Sequence, residues 1–169
     1  LHHYVGLDAY AKVYGEFRSV SAGKPLWVTE CSVPVRWSGD EKLKEPSPAD
    51  LRVQAERVAG VFATALHEGG GPVFYFLFPH YVEGQTQFGI VRPDLTPRPA
   101  YVALAAVGRL LADARPLGRL PATDANARVF MFAAWPDGRA REVLVAWASN
   151  GTAKLALPAA PEALFDAPQ

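Results

Sequence analysis

Glu30 is the residue whose position in the chain offers the clearest chemistry. It ends the run Lys24-Pro25-Leu26-Trp27-Val28-Thr29-Glu30, in which an apolar stretch stops at a carboxylate. Read as a strand, Leu26 to Thr29 is buried and Glu30 sits where strand meets loop. Parallel α/β folds build their sites at the C-terminal ends of strands, so a carboxylate there is a candidate functional group. The other reading is a solvated loop glutamate. Cys31 follows directly and offers a thiol nucleophile; the competing reading is a small residue packed at the strand end. A thiol hydrolase would need a helix start behind the cysteine, whereas a polar loop with Pro34 follows. His2 and His3 invite a metal reading, but adjacent strand residues point to opposite faces, and no metal and no cofactor are expected.

The chain has 169 residues, 17 basic and 17 acidic, and half of them are apolar. Balanced charge gives no electrostatic case for nucleic acid or an anionic membrane. No apolar run approaches the roughly 20 residues of a membrane span. With one cysteine there is no internal disulfide, and no cluster has the spacing of a structural zinc site. The start, Leu1-His2-His3-Tyr4, carries neither Met nor signal peptide, and reads as the middle of a larger protein.

The elements that must position Glu30 follow from periodicity. Residues 1–5 read as a strand end. Asp8 to Ser21 reads as a helix, with Tyr10, Val13, Tyr14 and Phe17 at helical spacing. Pro25 to Glu30 is a buried strand, and 31–46 a long polar loop holding Trp37. Ser47-Pro48-Ala49-Asp50 predicts a helix start, with Ser47 as N-cap and Asp50 closing a capping box. Leu51, Ala55, Val58, Phe62 and Leu66 then form its apolar face. Gly69-Gly70-Gly71 ends it, and Pro72 to Phe78 reads as a strand covered on both faces. Arg98-Pro99-Ala100-Tyr101 opens a third helix reaching about Ala114. The order strand–helix–strand–helix–strand–helix predicts α/β with parallel strands. After about Arg115 the character changes. Arg128–Trp135 and Glu142–Ser149 read as antiparallel strands around the turn Pro136-Asp137-Gly138, with Lys154–Leu157 as a third.

Several of these segments together resemble clan A of the retaining glycoside hydrolases. Leu26-Trp27-Val28-Thr29-Glu30 resembles that clan's seventh barrel strand, His2 and Tyr4 the His-x-Tyr ending of the sixth, and Val73 to Phe78 the eighth. Phe88-Gly89-Ile90-Val91-Arg92-Pro93-Asp94-Leu95-Thr96-Pro97-Arg98-Pro99-Ala100-Tyr101 resembles the stretch leading into the last barrel helix, and is the most specific piece. The late β segments resemble the small β-sandwich that often follows such barrels. The chain departs from the clan in lacking a tryptophan at the end of the eighth strand and in having Cys31 after the nucleophile position.

The resemblance implies an α/β fold: the C-terminal portion of a (β/α)8 TIM barrel over residues 1–114, followed by a small antiparallel β module over 115–169. It implies a glycosidase in which Glu30 is the nucleophile. The acid/base glutamate, at the end of the fourth strand, lies upstream of this chain. Retaining hydrolysis needs two carboxyl groups about 5–5.5 Å apart. Tyr4 is the expected donor to Glu30, with His2 on the same face for a hydroxyl or carboxylate contact. Trp37, Phe78, His80 and Tyr81 are the candidate sugar platforms, and Trp135 and Trp147 are expected mainly to pack. The expected partners are an oligo- or polysaccharide or other glycoside, and the missing N-terminal part of the barrel. Alone, three barrel strands would expose two edges and an open face, and are expected to be inactive. Secretion or a periplasmic location is the usual expectation for polysaccharide-acting enzymes. The alternative function is a non-catalytic carbohydrate-binding or scaffold protein on the same fold.

Overall fold

The computed structural model describes residues 1–36, 45–157 and 159–165, and the chain divides into a unit from Leu1 to Val107 and a second beginning at Gly108. The fold is mixed α/β. The first unit is built on a parallel sheet of β1 (His2–His3), β2 (Leu26–Cys31) and β4 (Gly70–Tyr75), in that spatial order. Helix α1 (Tyr10–Val20), after a 3₁₀ turn at Leu7–Ala9, connects β1 to β2, and α2 (Pro48–His67) leads into β4. Parallel neighbours need such crossovers, because a tight turn cannot return the chain to the same end of the sheet.

One face of this sheet is packed. Tyr10 and Tyr14 of α1 and Val61 and Ala65 of α2 close over Leu26, Val28 and Cys31 of β2, forming one buried cluster. Each large apolar side chain so buried stabilises the fold by about 1.5–3 kcal/mol. The other face is open. Trp27 is 57% exposed and Phe74 of β4 53% exposed, so the expectation of a last strand covered on both faces does not hold here. That strand also begins earlier and ends earlier than its apolar run predicts, at Gly70 and Tyr75 rather than Pro72 and Phe78. Gly70 is why it can begin there: a Cβ on it would lie 2.9 Å from the Ala65 carbonyl oxygen and 3.2 Å from the Tyr14 ring. Bare backbone lets the strand start directly beneath α2.

The start of α2 follows the predicted signals. The Ser47 hydroxyl accepts from the Asp50 amide at 3.2 Å, and the Asp50 carboxylate accepts from the Ser47 amide at 3.2 Å, with Pro48 at the first helical position. These bonds satisfy amides that the first turn leaves without partners. The buried positions include Leu51, Ala55 and Val58 from the predicted face.

A second, small antiparallel sheet joins β3 (Val35–Arg36), β6 (Thr86–Gln87) and β5 (Val82–Glu83), in that order. Periodicity does not predict strands of two residues. This sheet ties the chain leaving β2 to the chain following β4. Helix α3 (Pro99–Leu110) then begins at the predicted proline and carries the chain into the second unit.

The second unit is an antiparallel sheet of β7 (Arg115–Arg119), β8 (Ala127–Ala134) and β9 (Arg141–Ala148). The two predicted strands are present as β8 and β9, but the third strand is β7, not Lys154–Leu157, which has no regular structure. The Lys154 segment is instead anchored by its backbone: the Lys154 amide donates to Asp124 Oδ2 at 2.9 Å. Phe132 and Val129 are buried on β8, and Phe130 stacks on Trp147 with ring centroids 5.4 Å apart.

Candidate active site

β2 is the middle strand of the parallel sheet, and Glu30 lies at its C-terminal end. Register brings His2 alongside it: His2 pairs with Glu30 and His3 with Cys31. The chain start locks that register. The Leu1 backbone nitrogen donates to the Trp27 carbonyl at 2.7 Å, and the Leu1 carbonyl accepts from the Thr29 amide at 2.9 Å. As a result His2 Nε2 stands 3.3 Å from Glu30 Oε1, with side chains 56% and 27% exposed. The carboxylate is partly sheltered and still reachable.

His3 and Cys31 lie toward the packed face; an irregularity in the β2–β4 register between Val28 and Cys31 lets Cys31 join Leu26 and Val28 there. His3 is buried, edge-on to the Tyr10 ring at 4.6 Å, with its Nε2 3.2 Å from the Tyr14 hydroxyl. Burial first, and then the neighbouring His2, hold its pKa below the ordinary histidine value. Cys31 is fully buried, and burial pushes its thiol up to about 12. A thiol held protonated at neutral pH is a poor nucleophile, which counts against a thiol hydrolase.

Tyr4 belongs to a ring cluster beside the His2–Glu30 pair. Its ring lies edge-on to His2 at 5.3 Å, to Phe76 at 5.7 Å and to Phe88 at 5.5 Å. Tyr81 completes the group, 6.0 Å from Phe76 and 5.9 Å from Phe88. Phe76 is tied to the end of β2, its amide donating to the Cys31 carbonyl at 2.9 Å. Tyr4 makes no hydrogen bond to Glu30; His2 is the side chain against the carboxylate.

Among the candidates, then, His2 stands against Glu30, Tyr4 meets His2, and Tyr81 joins the same ring cluster through Phe76 and Phe88. Phe78 and His80 are engaged elsewhere. The Phe78 ring meets Tyr101 at 5.9 Å, and His80 Nδ1 lies 3.1 Å from Arg98 Nη2. Trp37 lies outside the described residues. Phe76 and Phe88 are members of the cluster that the sequence reading did not assign. Phe76 reads as one more core residue of an apolar run, and only the early end of β4 at Tyr75 releases it to the site.

Arg98 is a third residue that the sequence reading did not assign. It is fully buried. Its guanidinium donates to Glu45 Oε2 at 2.6 Å, to the Gly89 carbonyl at 2.9 Å and to the Val91 carbonyl at 3.0 Å. A planar fork with several fixed donors suits this task better than an ammonium. Glu45 also accepts from Arg92 Nε at 3.0 Å. Gln54, buried on α2, donates to the Gly89 carbonyl at 3.2 Å. Gly89 itself sits so close to the 79–81 segment that a Cβ would lie 2.2 Å from the Pro79 oxygen. The stretch Phe88 to Tyr101 therefore works as a clamp holding the segment that carries His80 and Tyr81.

The arrangement can do carboxylate chemistry at an aromatic-lined surface. Aromatic faces suit the apolar C–H faces of sugars, and a carboxylate at a strand end suits attack on an electrophilic carbon. Among the described residues, no group of three or more His, Cys, Asp or Glu side chains is arranged to hold a metal ion, and no helix is long and apolar enough to cross a membrane.

The structure is similar to part of a solved family 39 glycoside hydrolase from the gut symbiont Bacteroides cellulosilyticus WH2, with a TM-score of 0.63 and 21% sequence identity. The match covers 92% of this chain and 31% of that one. No protein-family model matches the chain, and no curated protein does. At this identity the likeness carries the fold: a mixed α/β chain that spans about a third of the length of a glycoside hydrolase it resembles.

Proposed function

We propose that the chain is the C-terminal part of a retaining glycoside hydrolase barrel of clan A, in which Glu30 is the nucleophile. The observation that carries this reading is the place of Glu30. It lies at the C-terminal end of the middle parallel strand, 3.3 Å from His2, whose ring meets the cluster of Tyr4, Phe76, Tyr81 and Phe88, on a fold similar to part of a glycoside hydrolase.

In this reading a Glu30 oxygen attacks the anomeric carbon, and the bond to the leaving oxygen breaks. The product is a glycosyl ester on Glu30. A second carboxyl group, upstream of this chain, gives its proton to the leaving oxygen and then takes one from the water that hydrolyses the ester. His2, standing against Glu30, positions the carboxylate, and the rings bind the apolar faces of the sugar. Trp37, Phe78 and His80 remain candidate platforms, and the substrate is an oligo- or polysaccharide or other glycoside. The open sheet face with Trp27 and Phe74 is where the remaining barrel strands would close.

The test uses the intact protein and a panel of 2-deoxy-2-fluoro glycosides, which trap retaining nucleophiles. Mass spectrometry of the digested protein should find the sugar on the peptide containing Glu30. No adduct from any sugar, in protein shown to be folded, favours a non-catalytic carbohydrate-binding role.

A further inference from the structure

The second unit contains an open cleft of about 430 Å³ lined by Asp113, Ala114, Arg115 and Trp135. That volume lies within the roughly 300–1,000 Å³ common to small-molecule sites. Trp135 is 39% exposed, although its neighbours Phe132 and Ala134 on β8 are buried. Trp135, just beyond the end of β8, is thus partly open to solvent.

Backbone bonds, not mobile side chains, hold the two walls together. The Trp135 amide donates to the Ala112 carbonyl at 2.9 Å, next to Asp113. Arg115 pairs with Ala133 in the β7–β8 register, two residues from Trp135. The turn after Trp135 is pinned as well: Arg109 Nε donates to both Asp137 oxygens, at 2.8 and 3.1 Å. Asp113 occupies a left-handed conformation with φ of 51°, one that aspartate tolerates better than most residues.

Asp113 and Arg115 are both exposed, and neither side chain makes an ion pair or hydrogen bond to another described residue. The cleft thus offers a free acceptor, a free donor and an aromatic face, with no net charge. A simple anion would be repelled by Asp113 and a simple cation by Arg115. A molecule with an apolar face and several hydroxyl groups engages all three. We propose that this cleft binds an uncharged sugar residue, one ring face on Trp135 and its hydroxyls shared between Asp113 and Arg115. The site goes beyond the glycosidase reading, since it lies in a different unit from Glu30 and needs no catalysis.

The experiment labels the four tryptophans of the intact protein with 5-fluorotryptophan, and Trp135→Phe assigns the Trp135 fluorine resonance. Cellobiose, xylobiose, mannobiose, maltose and galactobiose are titrated in turn. At least one should move that resonance saturably, and Asp113→Ala and Arg115→Ala should each weaken its binding about tenfold or more. Both variants sit on the surface, and Asp113→Ala adds only the strain of one left-handed residue; circular dichroism checks folding, and Asp113→Asn and Arg115→Gln replace any that fails. No movement with any of the five sugars overturns the proposal. So does binding that is undiminished in both variants, or an equal response to tetramethylammonium or phosphate. The titration is repeated in Glu30→Gln. Movement of the Trp135 resonance there supports the cleft whether or not Glu30 is a nucleophile, so the two readings can fail separately.

Discussion

His2 Nε2 and Glu30 Oε1 stand 3.3 Å apart because two parallel strands place their Cα atoms side by side. The contact therefore depends on register, and the register depends on the hydrogen bonds of Leu1 to Trp27 and Thr29. On the proposed glycosidase reading, His2→Ala in the intact parent protein should lower turnover of a cleaved glycoside about tenfold, the equivalent of roughly 1.4 kcal/mol in the barrier. It should change stability by less than about 1 kcal/mol, since the pair is largely solvent-screened. Steady-state kinetics beside a urea titration checks both; a large stability loss with unchanged turnover would make His2 structural.

Gly89→Ala should destabilise the fold by about 1–3 kcal/mol, the usual cost of forcing atoms into filled space. The new methyl would lie 2.2 Å from the Pro79 oxygen and 2.7 Å from the His80 Cα, which are backbone atoms without room to rotate away. A lower urea midpoint, together with a change in fluorescence or crystal position around 79–81, is the expected outcome.

Arg98→Met should cost about 3 kcal/mol or more, because it leaves Glu45 short of a partner, the Val91 carbonyl without its donor and the Gly89 carbonyl with Gln54 alone. Arg98→Lys should recover only part of this, since a point charge cannot serve both carbonyls and Glu45 in one geometry. Denaturation of the two variants in parallel separates charge from fork geometry. Full recovery by lysine would show that charge alone matters.

Stability should fall on both sides of neutrality. His3 has a lowered pKa, so below about 6.5 the unfolded chain takes up a proton that the folded chain resists, and stability is lost as pH falls. Cys31 has a raised pKa, so above the ordinary value of 9.0 the unfolded chain loses a proton that the folded chain keeps. Stability is then lost as pH rises toward about 12. Tyr10, Tyr14 and Tyr75 are shifted upward by burial and add to the alkaline loss. Urea midpoints from pH 5 to pH 10 check the curve, and His3→Gln should flatten its acid side. In native protein at pH 8, Cys31 should resist iodoacetamide and react only after unfolding.

The elements that carry local signals are legible in the sequence. Ser47, Pro48 and Asp50 mark the start of α2 because capping is a contact among neighbours in the chain. Glu30 is placed correctly at a strand end because an apolar run that stops at a charge is a local pattern. β7 is hidden for the opposite reason. Arg115-Pro116-Leu117-Gly118-Arg119 contains two residues that strands avoid, and it forms only because β8 offers a pairing edge and an edge strand tolerates proline. The buried Arg98 is equally silent. Its partners Glu45, Gly89 and Val91 are brought to it by folding, so in the sequence it reads as a residue before a helix. Phe76 escapes because apolar runs do not show where a strand stops.

The exposure of Trp27 has a practical consequence. An indole in water emits at longer wavelength than one enclosed by apolar side chains, so this residue is an optical gauge of its own sheet face. Any polypeptide that closes over Trp27 and Phe74 should shift the emission to the blue, and Trp27→Phe identifies the part of the signal that belongs to it. Closure of such a polypeptide over β2 could then be followed in real time, without a substrate and without any added label.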